Sequence, residues 1–202
     1  TRSYVTYAPT QLEDKLNNNP FTFLHIINPE AHKNEPAEIK YAAVRDRFLV
    51  AKEEGIFLEE SESTYYLYEQ KSPQGTFEGI IGLLDLRPDA DISIIKHENT
   101  LAQKEALFAT YLETTGFQAE PILAFGEGDQ RRAEILAEVR QDRPEYEFSS
   151  TDRYEHRLWL IPSGFNEELK GSISEVHKVY IANGHHRLAS TKSKKKHSRN
   201  NP

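Results

Sequence analysis

The segment Val179-Tyr180-Ile181-Ala182-Asn183-Gly184-His185-His186-Arg187 constrains this chain more than any other. An apolar, β-branched run that stops at Asn-Gly and opens onto cationic residues predicts a strand, a tight turn and the start of a helix. The first amide groups of a helix have no partner within it, and beside the donor fork of Arg187 they suit a phosphate or a carboxylate. The segment therefore predicts an anion site, read here as a nucleotide site. The same residues admit a plainer account. Asn-Gly is a common turn, two histidines at a helix start can simply be solvated, and Arg187 can pair with a nearby carboxylate.

At 202 residues the chain is one large domain or two small ones, long enough to bury a substantial core. A hydrophobic share of 37%, a charged share of 28% and a net charge of −7 favour solubility. They also disfavour nucleic acid as a partner unless one face is locally basic. No apolar run approaches the ~18 residues a bilayer span needs, and no charged-then-apolar leader opens the chain, so a cytoplasmic protein with no membrane partner is expected. The absence of cysteine excludes disulfides, thiolate metal sites and cysteine nucleophiles. The absence of methionine, position 1 included, is odder. It predicts that selenomethionines and other stretches have dropped out, that some spacings are short by a residue, and that the chain is a piece of a longer protein.

Residues 10–19 predict a short helix ended by an asparagine run and Pro20, and the apolar residues 21–27 predict a buried strand. Over residues 35–54, Tyr41, Val44, Phe48 and Ala51 fall at helical spacing with Gly55 as the stop, which predicts an amphipathic helix packed on a sheet. Residues 64–69 and 77–84 are β-rich runs joined by the turn-forming Gln70-Lys71-Ser72-Pro73-Gln74-Gly75, an antiparallel hairpin. A strand at 92–95 precedes a helix through Thr115, for which Thr100 and Gln103 fit a capping box and Gly116 a stop. Strands at 121–125 and 157–161, a helix over 129–141 capped by Asp129, and a loop or short helix over 165–174 complete the pattern. Strands alternate with helices, yet one hairpin is present, so the expectation is an α+β protein with one mixed sheet and flanking helices. A single domain spans 1–202, with 1–100 and 101–202 as its candidate subdomains.

Two further places have residues suited to chemistry. Glu30 comes directly after Asn28-Pro29 at the end of the expected strand, where crevices form in α/β sheets, although it equally serves to cap the next segment. His97, Glu98 and Thr100 precede a helix, where a His-Glu pair supplies a proton acceptor, a metal ligand and backbone donors together, or merely caps the helix. No zinc-type histidine spacing occurs, so any metal is expected to be magnesium arriving with a nucleotide. The basic tract Lys192, Lys194, Lys195, Lys196, His197 and Arg199 is read as a solvated helix face ahead of a nucleic-acid contact. Trp159 and the cluster Tyr65, Tyr66 and Tyr68 are read as core or sheet-face residues ahead of stacking platforms.

The Asn-Gly-His-His-Arg turn after an apolar strand resembles the signature of domain-of-unknown-function family 1015, placed in the ParB/sulfiredoxin-like superfamily. The resemblance extends through Phe23-Leu24-His25-Ile26-Ile27-Asn28-Pro29-Glu30, Glu54-Gly55-Ile56-Phe57, Tyr65-Tyr66-Leu67-Tyr68, Lys96-His97-Glu98-Asn99-Thr100 and His156-Arg157-Leu158-Trp159, in the family's order. It implies a ParB/sulfiredoxin-like core. The sulfiredoxin turn is similar to Gly-Cys-His-Arg, which places His185 where the reactive cysteine would be. A free-serine kinase of the superfamily has Asp-Gly-His-Thr-Arg, whose acidic residue falls on Asn183, and asparagine cannot act as a base. The resemblance implies nucleotide contacts from Asn183, Gly184, His185, His186, Arg187 and Thr100, and catalytic roles for Glu30, His97, Glu98 and His186. The implied activity is phosphoryl transfer from magnesium-bound ATP or ADP to a small hydroxylated metabolite. The alternative is a nucleotide-responsive binding module related to chromosome-partitioning proteins, and nuclease activity ranks third because no dense carboxylate cluster is present.

Overall fold

In the computed structural model, residues 7–28, 32, 34–86, 93–150, 153–176 and 178–198 are described, 192–198 by their backbone alone. They form two compact units, each assembled from separated stretches of chain: residues 1–59, 96–124 and 181–202 in one, and 60–95 and 125–180 in the other. No helix among the described residues is long and apolar enough to cross a membrane.

The first unit is helical. α1 (Pro9–Asn18) begins with proline at its first position, where the missing amide costs nothing. α3 (Ala37–Glu53) buries Val44 and Ala51 on the stripe expected from its spacing. Gly55, at φ 71°, ends that helix in the left-handed region that glycine tolerates. The stripe packs against α2 (Leu24–Ile27) and α4 (Ala102–Thr115), which makes this a helix-on-helix core where a helix on a sheet was expected. Aromatic rings fill the joint, with Phe48 4.3 Å from Phe117 and Tyr41 5.1 Å from Tyr111 between ring centres.

The expected strand over residues 21–27 is instead a turn followed by the single helical turn α2. The amide of Leu24 donates to the Thr22 hydroxyl at 3.4 Å, and the amide of Asn28 donates to Leu24 O at 3.0 Å. Local partners thus satisfy the backbone while Leu24 and Ile26 go into the core. A short apolar run has no period of its own, so burial alone did not distinguish a strand from a helical turn.

The second unit is built on a sheet of order β2-β1-β6-β5, from β1 (Tyr66–Ser72), β2 (Gly75–Ile81), β5 (Tyr146–Ser149) and β6 (Glu155–Leu160). Every pairing in it is antiparallel, and the β1–β2 hairpin forms where the turn composition placed it. One face brings Leu67 opposite Trp159, against Ile135, Leu136 and Val139 of α5 (Gln130–Val139) and Leu169 of α6 (Asn166–Ser174). Further along that face Arg157 lies between Glu69 and Glu147, at 3.0 and 2.7 Å, on facing positions of three strands. On the opposite face His156 receives the Tyr68 hydroxyl contact at 2.7 Å and stacks on Phe148 at 4.8 Å, and its burial lowers its pKa. Trp159 is therefore core and Tyr68 a sheet-face residue, as read from the sequence.

Asp129 caps α5 as expected, accepting from the amide of Arg132 at 2.8 Å. The Ser172 hydroxyl bonds the same carboxylate, and that bond, ahead of the capping amide, holds the acid below its ordinary pKa. A second, smaller sheet has the order β3-β7-β4, from β3 (Ser93–Ile95), β4 (Leu123–Gly126) and β7 (Lys178–Asn183). β3 and β7 run parallel, Ser93 beside Lys178 and Ile95 beside Tyr180. The strands thus form an all-antiparallel sheet and a second sheet that contains the parallel β3–β7 pair, where one mixed sheet was expected. A short turn suffices for the hairpin, whereas a parallel partner must come from a distant crossover.

Candidate functional site

β7 stops at Asn183, and Gly184 turns the chain at φ 98° into α7 (His185–Ser198), the strand–turn–helix junction predicted for these residues. The first intrahelical bond is donated by the Leu188 amide to Gly184 O at 2.9 Å, so the amides of His185, His186 and Arg187 lie ahead of the ladder. A Cβ at position 184 would lie 3.2 Å from Ile122 Cγ1, and the positive φ disfavours any side chain there as well. Gly184→Ala is expected to lower stability by about 1–2 kcal/mol, measured by urea unfolding, because strain and crowding act together. A loss below about 0.5 kcal/mol would show that the turn relaxes freely.

Around this junction the first unit has an open depression of about 410 Å³, lined by Glu98, Asn183, Gly184, His185, His186 and Arg187 from among the expected residues. Its opposite wall is one face of α4, made by Lys104, Leu107 and Phe108. Glu98 also borders a smaller hollow of about 300 Å³ with Lys96, His97, Asn99 and Thr100. Of the expected residues, His97 and Thr100 thus border the smaller hollow and not the depression, and Glu30 lies outside the described residues. Arg199 and the side chains of the basic tract before it lie outside them too.

Glu98 sets the local electrostatics. Its two carboxylate oxygens lie 3.9 Å from His97 Nε2 and 3.8 Å from His185 Nδ1, within ion-pair reach and too long for hydrogen bonds. The two imidazoles meet edge to face at 4.5 Å. His97 and Glu98 are exposed, whereas His185 is only 4% exposed and its Nε2 is buried without a partner. An orphaned buried nitrogen costs free energy unless something satisfies it, and such groups concentrate where a ligand binds.

His186 and Arg187 have internal work. The Leu101 amide donates to His186 Nε2 at 3.2 Å, so this nitrogen is the acceptor and the neutral ring has its proton on Nδ1. His186 thus offers a donor, not a base. Leu101 is also the residue that precedes the first turn of α4 as its N-cap, since its carbonyl accepts from Glu105 at 3.0 Å. That moves the helix start one residue beyond the expected Thr100 capping box, and the Thr100 hydroxyl bonds the Glu105 carboxylate instead. The Arg187 guanidinium donates to the carbonyls of Glu120 and Pro121 and pairs with the Glu120 carboxylate at 3.0 Å. It fastens α7 to the segment before β4, which is the plainer role that the sequence left open for it.

Lys104, Leu107 and Phe108 are the residues that sequence reasoning passed over. Their i, i+3, i+4 spacing is a helical face in plain view. Only the docking of α7 on α4 makes it a pocket wall. Among the described residues no group of three or more histidines and carboxylates could hold a metal ion on its own.

The family model described as "Protein of unknown function (DUF1015)" matches residues 1–202. Comparison with curated proteins and with solved structures gives no match.

Proposed function

The chain belongs to the DUF1015 family over residues 1–202, and from the chemistry of its depression we propose that it binds a nucleotide there and transfers phosphoryl groups to a small hydroxylated metabolite. The observation that carries this reading is the buried, partnerless Nε2 of His185 beside the free amides behind Gly184. A helix start with unpaired donors is a phosphate site in physical terms. Similarity of the Gly184–Arg187 turn to those of the ParB/sulfiredoxin-like superfamily and its serine kinases supports the same reading. The depression fits magnesium arriving with the nucleotide, because that ion keeps several waters and can be held chiefly by the phosphates, which leaves Glu98 free. When bound, magnesium would supply charge neutralisation at the phosphates.

In this reading Glu98, exposed at the rim, takes the proton of the acceptor hydroxyl as its oxygen bonds to phosphorus and the bond to the departing diphosphate breaks. The helix-start amides hold phosphate oxygens, and the imidazole of His97 orients the carboxylate. A nucleotide-responsive binding module is the second reading. It is favoured by Asn183 standing where the kinases have an acid, and by an Arg187 already engaged with Glu120.

Phosphorus NMR with ATP, magnesium and pooled serine-like hydroxy metabolites separates the two. The expected result is a new phosphomonoester signal that disappears in Glu98→Gln. Unchanged nucleotide spectra, together with stabilisation by ATP, would refute the transferase and leave the binding module.

A further inference from the structure

We propose that Lys104 is the cation that holds the ligand's phosphates, and that Leu107 and Phe108 beside it receive a nucleoside ring; this rests on the nucleotide reading above. The cation that the sequence points to is Arg187, yet its guanidinium is taken up by two carbonyls and the Glu120 carboxylate. Releasing it for a ligand would leave those acceptors unsatisfied on a largely buried side chain. Lys104 has no such commitment. It lines the same depression and pairs with no described residue.

The wall and the floor of the depression make complementary offers. Lys104 faces a junction whose three leading amides lie outside the helix ladder, and His185, which lines the same depression, is 4% exposed with a buried Nε2 that lacks a partner. A lysine ammonium is a compact point charge suited to phosphate of any orientation, in contrast to the planar fork that Arg187 spends on Glu120. One helical turn on, Leu107 and Phe108 leave 48% and 36% of their surface exposed. Exposed apolar side chains next to a cation and free donors are the composition of a site for a ligand with a charged end and a flat apolar end. A nucleoside diphosphate has that form. Inorganic phosphate or pyrophosphate would use only the charged end.

Calorimetric titration of the full chain with two probes, ADP and inorganic pyrophosphate, in magnesium and low salt tests this. Lys104→Gln is expected to weaken both probes at least tenfold, the size of one lost charge-assisted contact, with affinity restored by Lys104→Arg. Phe108→Ala is expected to weaken ADP severalfold and leave pyrophosphate unchanged. Thermal unfolding of each variant confirms that it is folded, and Leu107→Ala replaces Phe108→Ala if that variant is not. Wild-type affinity for ADP in Lys104→Gln, or equal losses for both probes in Phe108→Ala, would overturn the proposal while leaving the nucleotide site standing. Failure of the unaltered protein to bind either probe would overturn the site itself.

Discussion

Trp159→Ala is expected to destabilise the protein by about 3–5 kcal/mol, because it opens a ring-sized cavity in a closed core. Trp159 is 6% exposed and lies directly opposite Leu67, with α5 and α6 packed above them. Its Nε1 donates to Asp142 O at 2.9 Å, so truncation also leaves that carbonyl without its partner. Trp159→Phe is the milder change, since it keeps a six-membered ring in the core while losing the donor and the rest of the indole, and a smaller loss of about 1–3 kcal/mol is expected. Urea unfolding followed by far-ultraviolet circular dichroism measures both. An alanine variant within about 1 kcal/mol of the parent would mean that the core closes over the gap.

Arg187→Ala is expected to cost about 2–4 kcal/mol in the complete absence of ligand, because a largely buried guanidinium leaves one carboxylate and two carbonyls behind. A residue reserved for an anionic ligand would behave in the opposite way. Its removal would relieve unpaired positive charge in the empty protein and abolish binding. Pairing Arg187→Ala with Glu120→Gln makes the distinction sharp. The double variant should lose less than the sum of the single losses if the two side chains stabilise each other. Additive losses in the cycle, or an alanine variant as stable as the parent, would return Arg187 to the role of a ligand clamp.

The parts of this protein that were legible in advance are those in which neighbouring residues do the work. The strand, turn and helix at 179–187 follow from β-branched residues, an Asn-Gly pair and a glycine able to take φ 98°. The β1–β2 hairpin and the Asp129 cap were likewise local statements, each settled by a turn or a side chain bonding its own backbone. Where the apolar pattern alone was ambiguous, bonds between near neighbours chose. Residues 21–27 are as apolar as a strand, yet the Thr22 hydroxyl and the Leu24 carbonyl take the nearby amides and make 24–27 a helical turn. The short strand β5 went unread because four exposed residues have too little pattern to stand out from a polar loop.

For the candidate site the division is similar. Gly184, His185, His186 and Glu98 are visible in the sequence because glycine, imidazole and carboxylate have recognisable chemistry. Their gathering around one depression required α4 and α7 to pack together. Chemistry alone could not assign the cations either. Arg187 has the better phosphate-binding side chain, but the carbonyls of Glu120 and Pro121, brought beside it by the fold, take up its donors. Lys104, unremarkable in its own helix, lines the depression and pairs with no described residue. Residue type sets what a group is able to bind, whereas the neighbours that folding supplies set whether its hydrogen bonds are already spent.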